Sequence, residues 1–411
     1  MAEVPTADGP HAASEPGDGV DVAGVSRRGF LAGAAALAGA AVGGTVTGAA
    51  VAARRAPADT AGRAVVPFYG ERQAGVATPP QAFLTLLAFD LAPGVDRDAL
   101  VRLLRIWTDD AARLTQGRPG LADSEPELAA VPASLTVTFG FGPAVFGVAR
   151  RERVRPGWLA PLPPFGVDAL RPEWSDGDLA LQLCADDPVT LAHAARVLVR
   201  QGSTFAGVRW VQQGYRNAPG AVAPGTTMRN LFGQVDGTRN LVPGRDDGLI
   251  WVADGPLAGG TGMVVRRIAM DLDRWEELDR PAREQVVGRR LADGAPLTGG
   301  TERDEPDLAA TGPDGLTVIP PFAHVRRART DDPRQRFLRR SYNYDDGAGR
   351  EAGLVFVTFQ ADVGAQFVPV QRRLDELDLM NTWTTPIGSA VFVVPPGPAP
   401  GEHVGQRLLE G

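Results

Sequence analysis

Residues 179–188 read Leu179-Ala180-Leu181-Gln182-Leu183-Cys184-Ala185-Asp186-Asp187-Pro188, and the fold can be worked out from them. An apolar run broken only by Gln182 reads as a buried strand. The two aspartates and the proline read as its end and as the start of a helix. Aspartate caps exposed backbone N–H groups, and proline is at home in a first helical turn. Leu191, Ala195 and Leu198 then recur at helical spacing. The same series of events occurs again far downstream. A strand over 353–360 ends in Phe359-Gln360-Ala361-Asp362, and Phe367, Val370, Leu374 and Leu377 follow at helical spacing.

Working outward, a strand over Phe83–Phe89 precedes Asp96, which caps a helix through Leu100, Leu103, Leu104 and Trp107. Leu135–Phe141 alternates as a strand, and Arg209–Gln212 closes the unit. Strand–helix–strand–strand–helix–strand is the ferredoxin-like, split β-α-β order. The second half offers a strand from Gly262 to Leu272, a helix around Trp275 and Leu278, the 353–360 strand with its helix, and a last strand Ser389–Val394. The fold class is therefore α+β, with two ferredoxin-like halves, 79–220 and 221–405, whose antiparallel sheets pack together. A linker over 54–78 precedes them. The stretch 280–350 is too long for a simple connection and reads as a functional insertion.

A length of 411 residues supports two core units, and a net charge of −7 with no basic aromatic patch argues against a nucleic-acid partner. Cys184 is the single cysteine, which excludes an internal disulfide and a cysteine-held iron–sulfur cluster; its apolar neighbours make it a buried, inert thiol. The first 24 residues are small and polar. Ser26-Arg27-Arg28-Gly29-Phe30-Leu31 then leads into an uncharged Ala/Gly-rich run ending at Ala53, with Ala50-Val51-Ala52 as a small-x-small cleavage pattern. Residues 1–53 thus read as a twin-arginine signal peptide, removed on export to the cell envelope or beyond. The run is also long enough for a membrane anchor, although Ala, Gly and Thr are weakly hydrophobic. Twin-arginine export carries folded proteins, often with a cofactor inside.

Three segments carry chemistry. In Gly233-Gln234-Val235-Asp236-Gly237-Thr238, glycines flank a carboxylate where the chain turns sharply or lies close to a flat ligand. The same residues would serve an ordinary turn. Of four histidines, His11 and His403 lie in tails and His193 sits in an apolar helix. Only His324, in Pro320-Pro321-Phe322-Ala323-His324-Val325-Arg326-Arg327, has site-like neighbours, including a basic cluster able to neutralise cofactor carboxylates. Arg339 and Arg340, in Phe337-Leu338-Arg339-Arg340-Ser341-Tyr342-Asn343-Tyr344, are interleaved with aromatics, which favours partial burial. A carboxylate, a lone imidazole and a guanidinium are what is needed to hold a haem iron and cleave a peroxide on it.

Together these motifs resemble those of the dye-decolourising peroxidase family, over roughly residues 70–405. The GxxDG hallmark is Gly233–Gly237, the proximal histidine motif is Ala323-His324-Val325-Arg326, and the distal arginine motif is Leu338–Tyr344. Gly353-Leu354-Val355-Phe356 through Pro395-Pro396-Gly397 is similar too, and the family's exported subgroup carries a twin-arginine signal. The resemblance implies a dimeric α/β barrel-like fold and one haem b per chain. It implies His324 as the iron ligand, with its second N–H given to an acceptor the sequence does not name. Asp236 as proton-moving base and Arg339 as charge stabiliser would lie on the other haem face, with Arg340 the alternative to Arg339. Gly233, Gln234, Val235, Gly237, Thr238, Arg326, Arg339 and Phe359 would surround the cofactor. A carboxylate base titrates near ~4 where a histidine base titrates near ~6.5, so an acidic optimum is expected. The implied partners are hydrogen peroxide, small aromatic reductants and, during export, the twin-arginine translocase; a homo-oligomer is allowed. Tyr342, Tyr344, Trp251 and Trp383 are candidates for passing electrons to bulky donors. An exported haem-binding or haem-iron-recovery protein with little turnover is the alternative.

Overall fold

In the computed structural model, which describes residues 62–410, Leu179–Ala185 is a strand with every residue buried. Asp187 stops it by accepting from the Thr190 amide at 2.7 Å, and Pro188 opens the helix Pro188–Gly202. The downstream counterpart behaves alike: a strand ends at Gln360, and Asp362 accepts from the Ala365 amide at 2.8 Å. The expected signal peptide, its cleavage pattern, His11 and the start of the linker lie outside the described residues. No helix among the described residues is long and apolar enough to cross a membrane.

Numbered along the chain, the strands are β1 Phe83–Leu91, β2 Thr136–Phe141, β3 Leu179–Ala185, β4 Ala206–Tyr215, β5 Thr261–Met270, β6 Leu338–Arg339, β7 Tyr342–Asp345, β8 Ala352–Gln360 and β9 Thr384–Val394. The first half forms an antiparallel sheet in the order β2-β3-β1-β4, and the second follows as β7-β8-β5-β9. The two sheets also meet at their edges, through Phe141 opposite Val393 and Tyr215 opposite Asn343. With β5 paired to β8 the ring of strands closes, so no long edge is left open. This closed ring agrees with the barrel-like arrangement of two packed ferredoxin-like halves expected from the sequence; the particular edge pairings depend on residues distant in sequence and leave no periodic mark.

Strand alternation sorts the side chains. Leu84, Leu86 and Ala88 of β1 point into the ring, where they join Met263, Val265, Val357, Phe359 and Phe392. Leu87 and Phe89 point outward into a second core under the helices Arg97–Leu114 and Pro188–Gly202. Trp107 is fully buried there and its indole N–H donates to the Leu198 carbonyl at 2.8 Å. Burying such a ring is worth roughly 2–3 kcal/mol.

The second half covers its outer face differently. Its helices Arg280–Val287 and Val368–Leu377 are short, and the 280–350 insertion fills the space. Ile268, Leu354 and Phe356 meet Met228, Phe232 and Trp275 on that face. Two strands within the insertion, β6 and β7, were not anticipated; β7 takes the place that β2 holds in the first half. His403, read as a tail residue, is in fact buried.

Candidate active site

The segment Met228–Asp236 folds into a tight hairpin. The Asn230 side-chain oxygen accepts from the amides of Phe232 (3.1 Å) and Gln234 (3.2 Å), while the Asp236 amide donates to the Met228 carbonyl (2.8 Å). Gly233 turns the hairpin at φ +77°, and Gly237 follows Asp236 at φ +126°. Both conformations strain any residue with a Cβ, which is the physical reason for the two glycines. Beyond them the Thr238 hydroxyl donates to Glu302 (2.9 Å), which also accepts from Thr227 (2.6 Å).

Arg339 reaches the hairpin from β6. It lies opposite Thr358 of β8, and Leu338 lies opposite Phe359. Alternation therefore puts Arg339 on the outer face with Phe356 and Thr358, and puts Leu338 and Phe359 in the inner core. Asn240 grips Arg339 twice, accepting from its amide and donating to its carbonyl, both at 2.7 Å. The guanidinium Nη1 then donates to Asp236 Oδ1 at 3.2 Å, in a partly exposed ion pair.

His324 begins a short helix after Pro320-Pro321. Its Nδ1 lies 2.6 Å from Asp378 Oδ2, and that carboxylate is nearly fully buried. Asp378 is placed by the end of the helix Val368–Leu377 and also accepts from the Met380 amide at 3.0 Å. Burial disfavours the charged imidazole, but the charge and hydrogen bond of Asp378 outweigh it, so the ring's proton affinity is raised. Asp236 raises it further and Arg339 lowers it. The ring is deep in the protein, yet its side chain keeps 33% of its accessible surface. Nε2 makes no hydrogen bond among the described residues.

These features fit a haem. A partly exposed imidazole keeps one nitrogen unpartnered, its other nitrogen is fixed by a carboxylate, and an acid–guanidinium pair acts on the ring electrostatically without touching it. The Gln234 side-chain amide, on the same hairpin, is buried with its Nε2 unpartnered, a donor still available to a bound group.

Several sequence expectations find other uses in the fold. Arg326 donates to the carbonyls of Ile319 (2.7 Å) and Leu308 (2.6 Å), and Arg327 to Glu376 (2.9 Å) and the Arg373 carbonyl (3.0 Å). The basic cluster after His324 therefore ties loops together. Phe359 is fully buried in the inner core, away from the face that carries Arg339. Arg340 points the other way from Arg339, to the Thr78 carbonyl and the Gln81 side chain. Tyr342 and Tyr344 are buried, so neither presents a ring to a bulky donor. Trp251 is buried beneath Arg72, and Trp383 is half-buried against Trp275. Asp378 and Asn240 were missed. Asp378 lies 54 residues from His324, and in sequence it resembles any helix-end aspartate.

Comparison with known proteins gives one answer. The family model for the N-terminal part of Dyp-type peroxidases matches residues 73–216, and the C-terminal one matches 227–399. The chain is 40% identical to a dye-decolorizing peroxidase of Thermobifida fusca, over 94% of this chain and 98% of the relative. It is 33% identical to a deferrochelatase of Escherichia coli, over 80% and 84%. The structure of a DyP-type peroxidase from Cellulomonas bogoriensis superposes with a TM-score of 0.83 at 59% identity, covering 85% of this chain and 99% of that one. Ferric DtpA from Streptomyces lividans gives 0.83 at 46%, over 86% and 100%.

Proposed function

Since the chain belongs to the Dyp-type peroxidase family and is a peroxidase oxidoreductase with one haem per chain, we propose that His324, Asp236 and Arg339 run its chemistry on phenolic or dye-like donors. When bound, the haem supplies the iron at which hydrogen peroxide is reduced and through which electrons leave the donor. His324 would hold it through Nε2, the ring nitrogen that Asp378 leaves unpartnered. The Asp378 contact fixes the ring's rotation, keeps the proton on Nδ1 and makes Nε2 a stronger donor of its lone pair. Asp236 Oδ1 is held by Arg339 and Oδ2 takes only a long 3.5 Å contact from Asn230 Nδ2, so Oδ2 would be the oxygen that accepts a proton from hydrogen peroxide and gives it back as water leaves. Arg339, clamped through its backbone by Asn240, stabilises the negative charge that develops as the O–O bond opens.

The observation that carries this reading is the Asp236–Arg339 pair acting on an imidazole whose second nitrogen is already held by Asp378. The test is turnover of the haem-loaded protein with hydrogen peroxide and a phenolic donor. Saturable oxidation is expected, together with loss of the haem absorption band in His324→Ala. Tight haem binding with negligible turnover would favour instead a haem-iron-recovery role, the reading supported by the kinship with deferrochelatases. We further propose export by the twin-arginine route, on the strength of Arg27-Arg28 and the apolar run after them. Lysine substitution at both arginines should leave the protein in the cytoplasm.

A further inference from the structure

The position of Asp236 depends more on its backbone than on its own side chain. The two contacts to its carboxylate are long, 3.2 Å from Arg339 and 3.5 Å from Asn230. Towards the hairpin tip the chain is well tied, because the Asp236 amide donates to the Met228 carbonyl and Asn230 closes the turn. Past Asp236 the ties run out. Gly237 comes next at φ +126°, and glycine is the least restricted of residues. Among the described residues no hydrogen bond joins Thr227 directly to Thr238, the residues that flank the hairpin on its two legs.

We propose that Glu302 is the positioning residue that closes this gap and so sets where the Asp236 carboxylate stands for the reaction. In the peroxidase reading, on which this role rests, it gives the 280–350 insertion a part in the peroxide step.

A single carboxylate oxygen makes the staple. Glu302 Oε1 accepts from the Thr227 hydroxyl at 2.6 Å and from the Thr238 hydroxyl at 2.9 Å. Hydrogen bonds to a carboxylate are about twice as strong as those between neutral groups. The legs are already close here, since the Thr227 methyl lies 3.4 Å from where a Cβ on Gly237 would stand. Oε2 has no hydrogen-bond partner among the described residues, so nothing pulls the side chain elsewhere. The Glu302 peptide is fixed in its turn. Buried Arg289 donates through Nη1 to the Glu302 carbonyl at 2.9 Å and to the Gly294 carbonyl at 2.8 Å. The staple therefore has one anchored end in the insertion and two ends on the hairpin legs. Without it the legs would splay about Gly237, and Asp236 would shift against Arg339, which is held separately on β6 against β8. Misplacing a reacting group by about 1 Å can lower a rate on the order of 10²-fold.

The test uses the haem-loaded protein with hydrogen peroxide and 4-methylphenol, and reads kcat/KM for each. Glu302→Ala should lower kcat/KM for peroxide about 10- to 100-fold and leave that for the phenol unchanged, because Asp236 acts on the peroxide alone. Glu302→Gln keeps a side-chain carbonyl where Oε1 stands and should recover most of the loss. Thr227→Val combined with Thr238→Val removes both donors and leaves Glu302 in place. That pair should match Glu302→Ala and add little to it in the triple variant. Amide hydrogen exchange gives a readout apart from turnover: residues 227–238 should exchange about tenfold faster in Glu302→Ala, with strands β1 to β5 unchanged. A glutamine as damaging as alanine would make charge rather than placement the cause, and would overturn the proposal. So would a threonine pair without effect, equal losses for both substrates, or exchange that quickens throughout the sheets, which would reduce Glu302 to a general stabiliser. Wild-type protein that turns over neither substrate would sink the peroxidase reading instead, and exchange at the hairpin would still decide whether Glu302 holds it.

Discussion

Replacing Asp378 by asparagine should loosen the hold on haem while leaving the fold intact. The 2.6 Å contact between His324 Nδ1 and Asp378 Oδ2 is at the short end expected for a hydrogen bond to an ionised acceptor. Such bonds are worth about 1.5–3 kcal/mol net, and neutral ones about 0.5–1.5. Asparagine offers a neutral carbonyl in the same place, so the interaction weakens by about 1–2 kcal/mol, or about 5- to 30-fold in haem affinity. A second effect is separable. Asp378 also accepts from the Met380 amide with its other oxygen, and the asparagine NH2 would face that N–H. This loses a cap worth about 1 kcal/mol of stability. The assay is the first-order transfer of haem to an excess of apo-globin, run beside thermal unfolding of the haem-free protein. Haem should leave the variant about 5- to 30-fold faster, with only a small fall in Tm. Release at the wild-type rate would refute the assignment of His324 as ligand with Asp378 behind it.

Arg339→Leu should lower peroxide-dependent turnover by about 10²–10³, as removal of a preorganised charge stabiliser does, and Asp236→Asn should cost less. The reverse ranking in steady-state kinetics would make proton transfer the larger contribution. Arg340→Met should act on stability instead: the Thr78 carbonyl and Gln81 side chain lose their buried donor, at about 1–3 kcal/mol each. Denaturant unfolding should show that loss for Arg340→Met and almost none for Arg339→Leu; equal losses would contradict the placement of the two side chains. Tyr344 is buried and, despite the Arg267 guanidinium 4.2 Å away, burial pushes its phenol up to about 12. The unfolded chain ionises near ~10, so the stability tied to this phenol is intact below pH ~10 and is lost as pH rises towards 12. That loss is on the order of 2–3 kcal/mol. With no lysine in the chain, the other groups shifted in this direction are the Tyr215 and Tyr342 phenols, both raised by burial. Tyr344→Phe should flatten the alkaline fall in Tm, and an unchanged profile would count against it.

What the sequence made legible was whatever is local. Asp187 and Asp362 announce their helices because capping is settled within a few residues. Gly233 and Gly237 announce the hairpin because positive φ demands them. What stayed hidden depends on long-range partners. Arg339 and Arg340 are adjacent and chemically identical, and only the pairing of Leu338-Arg339 with β8 decides which of them faces Asp236. Phe359 looked like a cofactor neighbour in an apolar run buried on both faces, where neither inward nor outward alternation is marked. Arg326 and Arg327 looked like partners for cofactor carboxylates because sequence shows their charge and conceals the carbonyls they bind.

The duplicated architecture also accounts for why the site lies where it does. Both halves offer the same four-stranded sheet with an outer face to cover. In the first half, two long amphipathic helices close that face, with Trp107 fully buried between them. In the second half the helices are only eight and ten residues long. Residues 288–337 cover the rest as loops and one short helix, stapled by Arg326, Arg327 and Glu302. A face closed by side-chain staples can hold a polar recess that a helix-packed face cannot, because backbone and charged groups line it without being forced into a dry core. The site residues enter that recess from the insertion, the hairpin and the edge of β8, and each carries a clamp of its own: Asp378 on His324, Asn230 beneath the Asp236 hairpin, and Asn240 on Arg339. It is this set of clamps, more than the sheet beneath it, that holds three separate segments in register for one reaction.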